Sequence, residues 1–184
     1  MTGARMKTSD AEISARISGV VNESVTDGPG MRIVVFFQGC GHHCPGCHNP
    51  DTWDFNRGDI YQILDLLKHL EISPLIQGVT LSGGDPFYQP RAAAAVAEAF
   101  HRMNKDVWAY TGFTWETLMN SKEPAIHALL SQCDVLVDGP FLQAQKTLAH
   151  PFRGSSNQRI IDVPQSLRNR MLISWEGLNG FGVD

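Results

Sequence analysis

Positive charge never gathers in this chain. Its 15 Lys and Arg are scattered among 19 Asp and Glu, leaving a net charge of −4. No cluster of them makes the basic surface that a nucleic-acid groove needs. Long apolar runs are missing as well: none approaches the ~20 residues that span a bilayer. Neither a nucleic acid nor a membrane is therefore expected as a partner. There is no internal repeat and no low-complexity segment; Ala92 to Ala95 sits inside a helical pattern and reads as good helix propensity. The first thirty residues hold no apolar export segment, and a cytoplasmic setting is expected. With 42% hydrophobic and 18% charged residues, the composition is that of one domain large enough to bury a core. A frayed lead-in over residues 1–16 and a single domain over 17–184 are expected.

Cysteine is scarce too, at four residues, yet three stand together in Cys40-Gly-His-His-Cys44-Pro-Gly-Cys47. Three thiolates on one tight loop can hold a cubane iron–sulfur cluster, which normally takes four cysteines. The fourth, Cys133, lies far off inside another apolar run and reads as a buried small side chain. A cluster held by Cys40, Cys44 and Cys47 keeps one open iron, where a ligand can bind and react. Other readings of the same residues stand beside it. Structural zinc could use the three cysteines with His42 or His48, although such sites usually pair their ligands on two separated knuckles. Cys44-Pro-Gly-Cys47-His48 also fits the haem-attachment pattern C-x-x-C-H, which the missing export segment disfavours. A disulfide would be kept reduced in the cytosol.

Apolar runs alternate with helical patterns along the chain. Met31 to Phe37 reads as a strand buried on both faces. Asp59 to Glu71 carries Ile60, Ile63, Leu64, Leu67 and Leu70 at the spacing of an amphipathic helix. Strands are predicted at Val79 to Leu81, Val107 to Tyr110, Val135 to Val137 and Ile160 to Val163, and helices at Arg91 to Met103 and Pro124 to Gln132. This alternation predicts an α/β fold with parallel strands and right-handed crossovers. Chemistry in such sheets collects at the strand C-terminal ends. Cys40, Ser82-Gly-Gly-Asp85, Tyr110-Thr-Gly112 and Asp138-Gly139 all follow predicted strands.

The remaining motifs read two ways. Ser82 to Pro86 can be a plain turn, or its glycines can admit a ligand to the backbone while Asp85 accepts from an ammonium group. Asp27-Gly-Pro-Gly30 is a turn, or a lid or partner contact. Arg153 to Arg159 is a solvated loop or a segment bonded into the rim. His42 and His43 read as solvated, and Trp53, Trp108 and Trp115 as packing residues.

Asp27-Gly-Pro-Gly-Met-Arg32 followed by Phe37-Gln-Gly-Cys-Gly-His-His-Cys-Pro-Gly-Cys-His-Asn-Pro-Asp-Thr-Trp53 resembles the opening of the radical S-adenosylmethionine activases of glycyl radical enzymes. Leu81-Ser-Gly-Gly-Asp-Pro86, Tyr110-Thr-Gly-Phe113, Val135 to Phe141 and Phe152-Arg-Gly-Ser-Ser-Asn-Gln158 extend the likeness over roughly residues 17 to 163. The late Arg153 to Gln158 segment narrows it to the branch that serves the anaerobic ribonucleoside-triphosphate reductase. Phe37-Gln38-Gly39 and His48-Asn49 read more like the pyruvate formate-lyase activase.

The resemblance implies an incomplete parallel (βα) barrel and a 4Fe-4S cluster on Cys40, Cys44 and Cys47. Its open iron would chelate S-adenosylmethionine. By the same resemblance Gly83, Gly84 and Asp85 hold the methionyl amino group, Gly46, Cys47 and His48 flank the adenine side, and Thr111 and Asp138 lie near the ligand. The implied partners are the C-terminal glycine loop of the reductase and a flavodoxin- or ferredoxin-type electron donor. Two readings from other classes are a zinc-stabilised binding module and an electron-transfer iron–sulfur protein.

Overall fold

The run Met31–Phe37 forms a strand, β2, and its residues are buried on alternate sides of one sheet. That sheet is seen in a computed structural model that describes residues 13–177. Its other strands are β1 (Ser14–Ser24), β3 (Asp59–Gln62), β4 (Ile76–Gly83), β5 (Asp106–Tyr110), β6 (Val135–Asp138) and β7 (Arg159–Asp162). They lie in the order β3-β1-β2-β4-β5-β6-β7. The helices are α1 (Ile63–His69), α2 (Pro90–His101), α3 (Trp115–Met119), α4 (Pro124–Ser131) and α5 (Val163–Asn169).

The central four strands, β2, β4, β5 and β6, are parallel. Both flanks are antiparallel: β1 pairs with β2 and β3, and β7 with β6. The architecture is thus mixed α/β with a parallel-rich sheet, and β3 and β7 are its two edges. The helix expected over Asp59 to Glu71 is corrected. Asp59–Gln62 pairs with Ile17–Ser14 as β3, and only Ile63–His69 is helical. Ile60, counted into the apolar stripe, is 63% exposed; strand pairing wins over a periodicity that its side chain does not use. The expected lead-in over 1–16 also meets β1, which begins at Ser14; residues 1–12 of that lead-in lie outside the described residues.

The pleat sorts the core into two faces. Ile33, Val35, Phe37, Val79, Leu81, Val107, Ala109, Leu136 and Ile161 join the large cluster shared with the helices. From α2 this cluster takes Ala92, Ala93, Val96, Ala97 and Phe100, so small side chains let that helix settle close on the sheet. The opposite face carries a smaller cluster, Trp108, Val135, Val137 and Ile160, with Tyr110 and Phe152 packed against it. Arg32 occupies the same inner face with no exposed area. Its guanidinium donates to Thr80 Oγ1 (2.9 Å), Val79 O (3.0 Å) and Pro29 O (3.2 Å), and pairs with Asp106. It also lies 5.6 Å from the Trp108 ring centroid, a cation–π contact.

Candidate active site

Parallel pairing in register brings the strand exits to one rim. Phe37 pairs with Gly83, Leu81 with Ala109, and Tyr110 with Val137. Beyond these pairs the chain enters the cysteine loop, the Gly83-Gly84 turn, Thr111-Gly112 and Gly139. A cavity of about 510 Å³ opens there, within the range of about 300–1,000 Å³ common for small-molecule sites. Cys40, Cys44, Cys47, His48, Gly83, Gly84 and Thr111 all line it. The inner face supplies Phe36, Ser82 and Tyr110 as its floor.

The cysteine loop is shaped by its backbone. Gly39 N donates to Thr52 O (2.8 Å), Cys40 N to Trp53 O (3.1 Å) and Cys47 N to Cys44 O (3.1 Å). Gly46, exposed and at φ 74°, makes the turn between the last two cysteines. Gly46 does not itself line the cavity. All three thiols are free. Burial pushes the Cys40 thiol up to about 11, so a bare thiolate there is disfavoured until a cation takes it. Asn49 N–H donates to Cys47 Sγ at 3.4 Å, a contact that eases negative charge on sulfur.

These residues fit a cubane better than a single ion. Among the described residues, no three His, Cys, Asp or Glu side chains gather where one metal ion could be held. A cubane does not require that, because each thiolate meets a different iron and the sulfurs stand apart. His42, a possible fourth zinc ligand, gives its Nε2 to Asp85 at 2.9 Å.

The two glycines after β4 serve packing as well as access. Gly84 N donates to Phe37 O (2.7 Å) and Asp85 N to Gly39 O (3.1 Å), so this turn runs directly against the start of the cysteine loop. A Cβ on Gly84 would strike the Gly39 carbonyl; one on Gly83, at φ 102°, would strike the Phe37 backbone. Asp85 itself does not face the cavity. It is fully buried, and its carboxylate accepts from Phe87 N, Thr111 Oγ1, Gly112 N and His42. The acceptor that the sequence offered at Asp85 thus has four donors of the chain itself on it. Asp138 is likewise held by donors of the chain itself. It is buried, accepts from Trp115 N (2.6 Å) and pairs with Arg159, so it braces the β6 exit from behind.

Two segments left open by the sequence belong to the site. Thr80 Oγ1 donates to Asp27 O (2.7 Å), and with Arg32 it fixes the Asp27 to Gly30 turn so that Thr26 and Asp27 enter the cavity wall. Arg153 to Arg159 is knitted in rather than solvated. Gly154 N and Ser155 N donate to Gln158 Oε1, Gln158 Nε2 donates to Gly139 O, and Asn157 Nδ2 to Pro140 O. Phe152, Arg153, Gly154 and Gln158 thereby reach the cavity. Sequence reasoning missed Trp53, which lines the cavity edge-on to His43, and Phe141, which lies 5.2 Å from the His48 ring. Trp108 and Trp115 are core residues, as expected, and Cys133 is buried.

A parallel-rich sheet with three free thiols on one strand exit, beside a glycine-lined cavity, defines a protein built to carry a single iron–sulfur cluster. A family described as the 4Fe-4S single cluster domain matches residues 26–161. The chain belongs to that family and to that of the anaerobic ribonucleoside-triphosphate reductase-activating proteins. The protein of that name from Vibrio cholerae is 40% identical over 147 residues, covering 74% of this chain and 90% of the relative. Its counterpart from Escherichia coli K12 is 37% identical over 145 residues, covering 73% and 90%. That from Enterobacteria phage T4 is 36% identical over 141 residues, covering 73% and 85%. Among solved structures, QueE from Escherichia coli aligns with 57% of this chain and 55% of its own, at a TM-score of 0.45 and 15% identity.

Proposed function

We propose that this protein is a radical S-adenosylmethionine activase that generates the glycyl radical on the anaerobic ribonucleoside-triphosphate reductase. The observation that carries this reading is the meeting of three free thiols with the β4 and β5 exits in one cavity. Cys40, Cys44 and Cys47 would hold a 4Fe-4S cluster, which would supply the single electron for reductive cleavage of S-adenosylmethionine and so the hydrogen-atom abstraction from a glycine Cα of the partner.

The chain's own residues bind, orient and shield. Gly83, Gly84 and Thr111 form the wall beside the methionyl end. His48 and Phe141 stand as an aromatic pair at the other end, where Gly46 turns the loop on the adenine side. Phe36, Tyr110 and Phe152 make an apolar floor that keeps water from the reacting carbon. The Tyr110 hydroxyl donates to Phe152 O (3.0 Å), and burial pushes its acidity down, so it stays a neutral phenol. Asp85 and Asp138 hold this wall from behind.

In this reading residues 17–184 form one domain, of which 178–184 lie outside the described residues, and its sheet is an incomplete (βα) barrel with helices outside and cavity inside. The glycine loop of the reductase enters between the Asp27 to Gly30 turn and the Arg153 to Arg159 segment. A one-electron donor of the flavodoxin or ferredoxin kind and a reducing cytoplasmic setting complete it. Among the described residues, no helix is long and apolar enough to cross a membrane. The test incubates the reduced, cluster-loaded protein and S-adenosylmethionine anaerobically with the reductase and, separately, with pyruvate formate-lyase. Electron paramagnetic resonance then looks for a glycyl radical. It is expected on the reductase; a signal on the lyase alone overturns the partner, and a signal on neither overturns the activase reading.

A further inference from the structure

His42 stands between two of the cluster cysteines and lines the cavity, with its ring nitrogen turned onto Asp85. Its Nε2–H donates to Asp85 Oδ2 at 2.9 Å, with His42 17% exposed and Asp85 not at all. The same oxygen accepts from Thr111 Oγ1 (2.8 Å) and Gly112 N (2.9 Å), and Oδ1 accepts from Phe87 N (2.9 Å). One carboxylate thus joins the cysteine loop, the turn after β4 and the exit of β5. The imidazole is also gripped by ring edges, with centroids 4.5 Å from Phe113 and 5.7 Å from Tyr88. Gly112 leaves the space the ring fills, since a Cβ there would overlap it.

We propose that the His42–Asp85 contact is a latch that sets the cysteine loop in its cluster-binding geometry before any cluster is present. The inference rests on the functional reading above only in taking Cys40 to Cys47 as the cluster loop. Three free thiols make no bond to one another, so the cysteines do not themselves hold the middle of the loop in place. The buried hydrogen bond to a fully occupied carboxylate does, and it spans 43 residues of sequence. Because Thr111 and Gly112 hang on the same oxygen, the latch also fixes the distance between the cluster loop and the β5 wall of the cavity. In this role His42 and Asp85 act through the loop they position, His42 from the cavity wall and Asp85 from behind it.

The experiment follows amide hydrogen exchange in the full-length, metal-free, reduced protein. His42→Phe keeps a ring against Phe113 and Tyr88 but has no donor, and His42→Gln restores a donor of similar reach. Residues 40–47 are expected to exchange about tenfold faster in His42→Phe than in the wild type, with the sheet unchanged and with most protection regained in His42→Gln. Asp85→Asn, which turns a donor toward the other donors, is expected to match His42→Phe. On reconstitution with iron and sulfide, His42→Phe should take up its cluster more slowly and His42→Gln near the wild-type rate. Equal exchange in His42→Phe and wild type overturns the latch. Loss that His42→Gln does not rescue overturns it too, by assigning the role to ring packing. No iron or S-adenosylmethionine enters the exchange measurement. A wild-type protein that takes up no cluster therefore defeats the functional reading and leaves the latch standing.

Discussion

The four cysteines divide by what surrounds each sulfur. Cys133 is 1% exposed at the end of α4, where its thiol donates to Leu129 O at 3.4 Å and burial pushes its acidity down. Cys133→Ala is expected to keep the full iron–sulfur absorbance and iron content, at a stability loss of about 1 kcal/mol. Cys40→Ala, Cys44→Ala and Cys47→Ala are each expected to lose that absorbance while retaining the helical circular dichroism of the wild type. A cluster lost in Cys133→Ala with the fold intact would overturn the three-ligand arrangement. At this scale the sequence was readable where the signal is local. The C-x3-C-x2-C spacing lies within one loop, and the glycines at 83 and 84 follow an apolar run directly. It was unreadable where a side chain spends itself on a distant partner. Asp85 looks like an open acceptor until Thr111 and His42 are seen on it, and His42 looks solvated until Asp85 is.

Elements are held by small, specific contacts that their own stretch of sequence does not announce. Arg159 at the head of β7 makes a two-pronged bond to Glu116 of α3, at 3.0 and 2.9 Å, while also pairing with buried Asp138. The guanidinium holds the Glu116 carboxyl down to about 2, from an ordinary value of 4.5. A depressed acid stabilises the fold above its unfolded value, and that contribution is lost as pH falls from about 4.5 toward 2. Glu116 is 58% exposed, so screening keeps the effect to about 1 kcal/mol or less. Glu116→Gln should lower the urea midpoint slightly at pH 7, with the difference from wild type closing by pH 2. A difference that grows with acid would contradict the assignment. On α2, Ala93 is fully buried against the sheet. Ala93→Leu is expected to overpack that interface by about 1–3 kcal/mol, read as a fall in the thermal midpoint. The helix itself was legible from its periodicity. By contrast, β1 mixes polar and apolar residues along a half-covered strand, and β3 borrows the apolar spacing of the helix that follows it. Pairing between β1 and β3 decided their structure, and pairing is not written in either segment alone.

Taken whole, the molecule separates its stability from its chemistry. The large core lies between the sheet and the helices, whereas the cavity occupies the rim and the opposite face. Stripping the cluster with an anaerobic chelator is therefore expected to leave the far-ultraviolet circular dichroism unchanged and thermal unfolding cooperative. Rebinding should raise the midpoint through ligand linkage. A metal-free chain that melts without a transition would make the cluster part of the fold. The strand–helix alternation carried the parallel centre of the sheet in plain view. The reversed direction of β7 was hidden, because a loop without a crossover helix joins it to β6. Among the described residues β6 is the one named strand beside β7, whose other edge takes only the short bridge from Ile161 to Ser174, and β3 stands at the far side. The inner face is therefore a trough and not a tube. A tube admits only a free chain end, which must be threaded in and drawn out again. A trough admits a loop with both ends still anchored in a folded body, laid in from the side and lifted away. In the activase reading, a protein substrate is then served after it has folded.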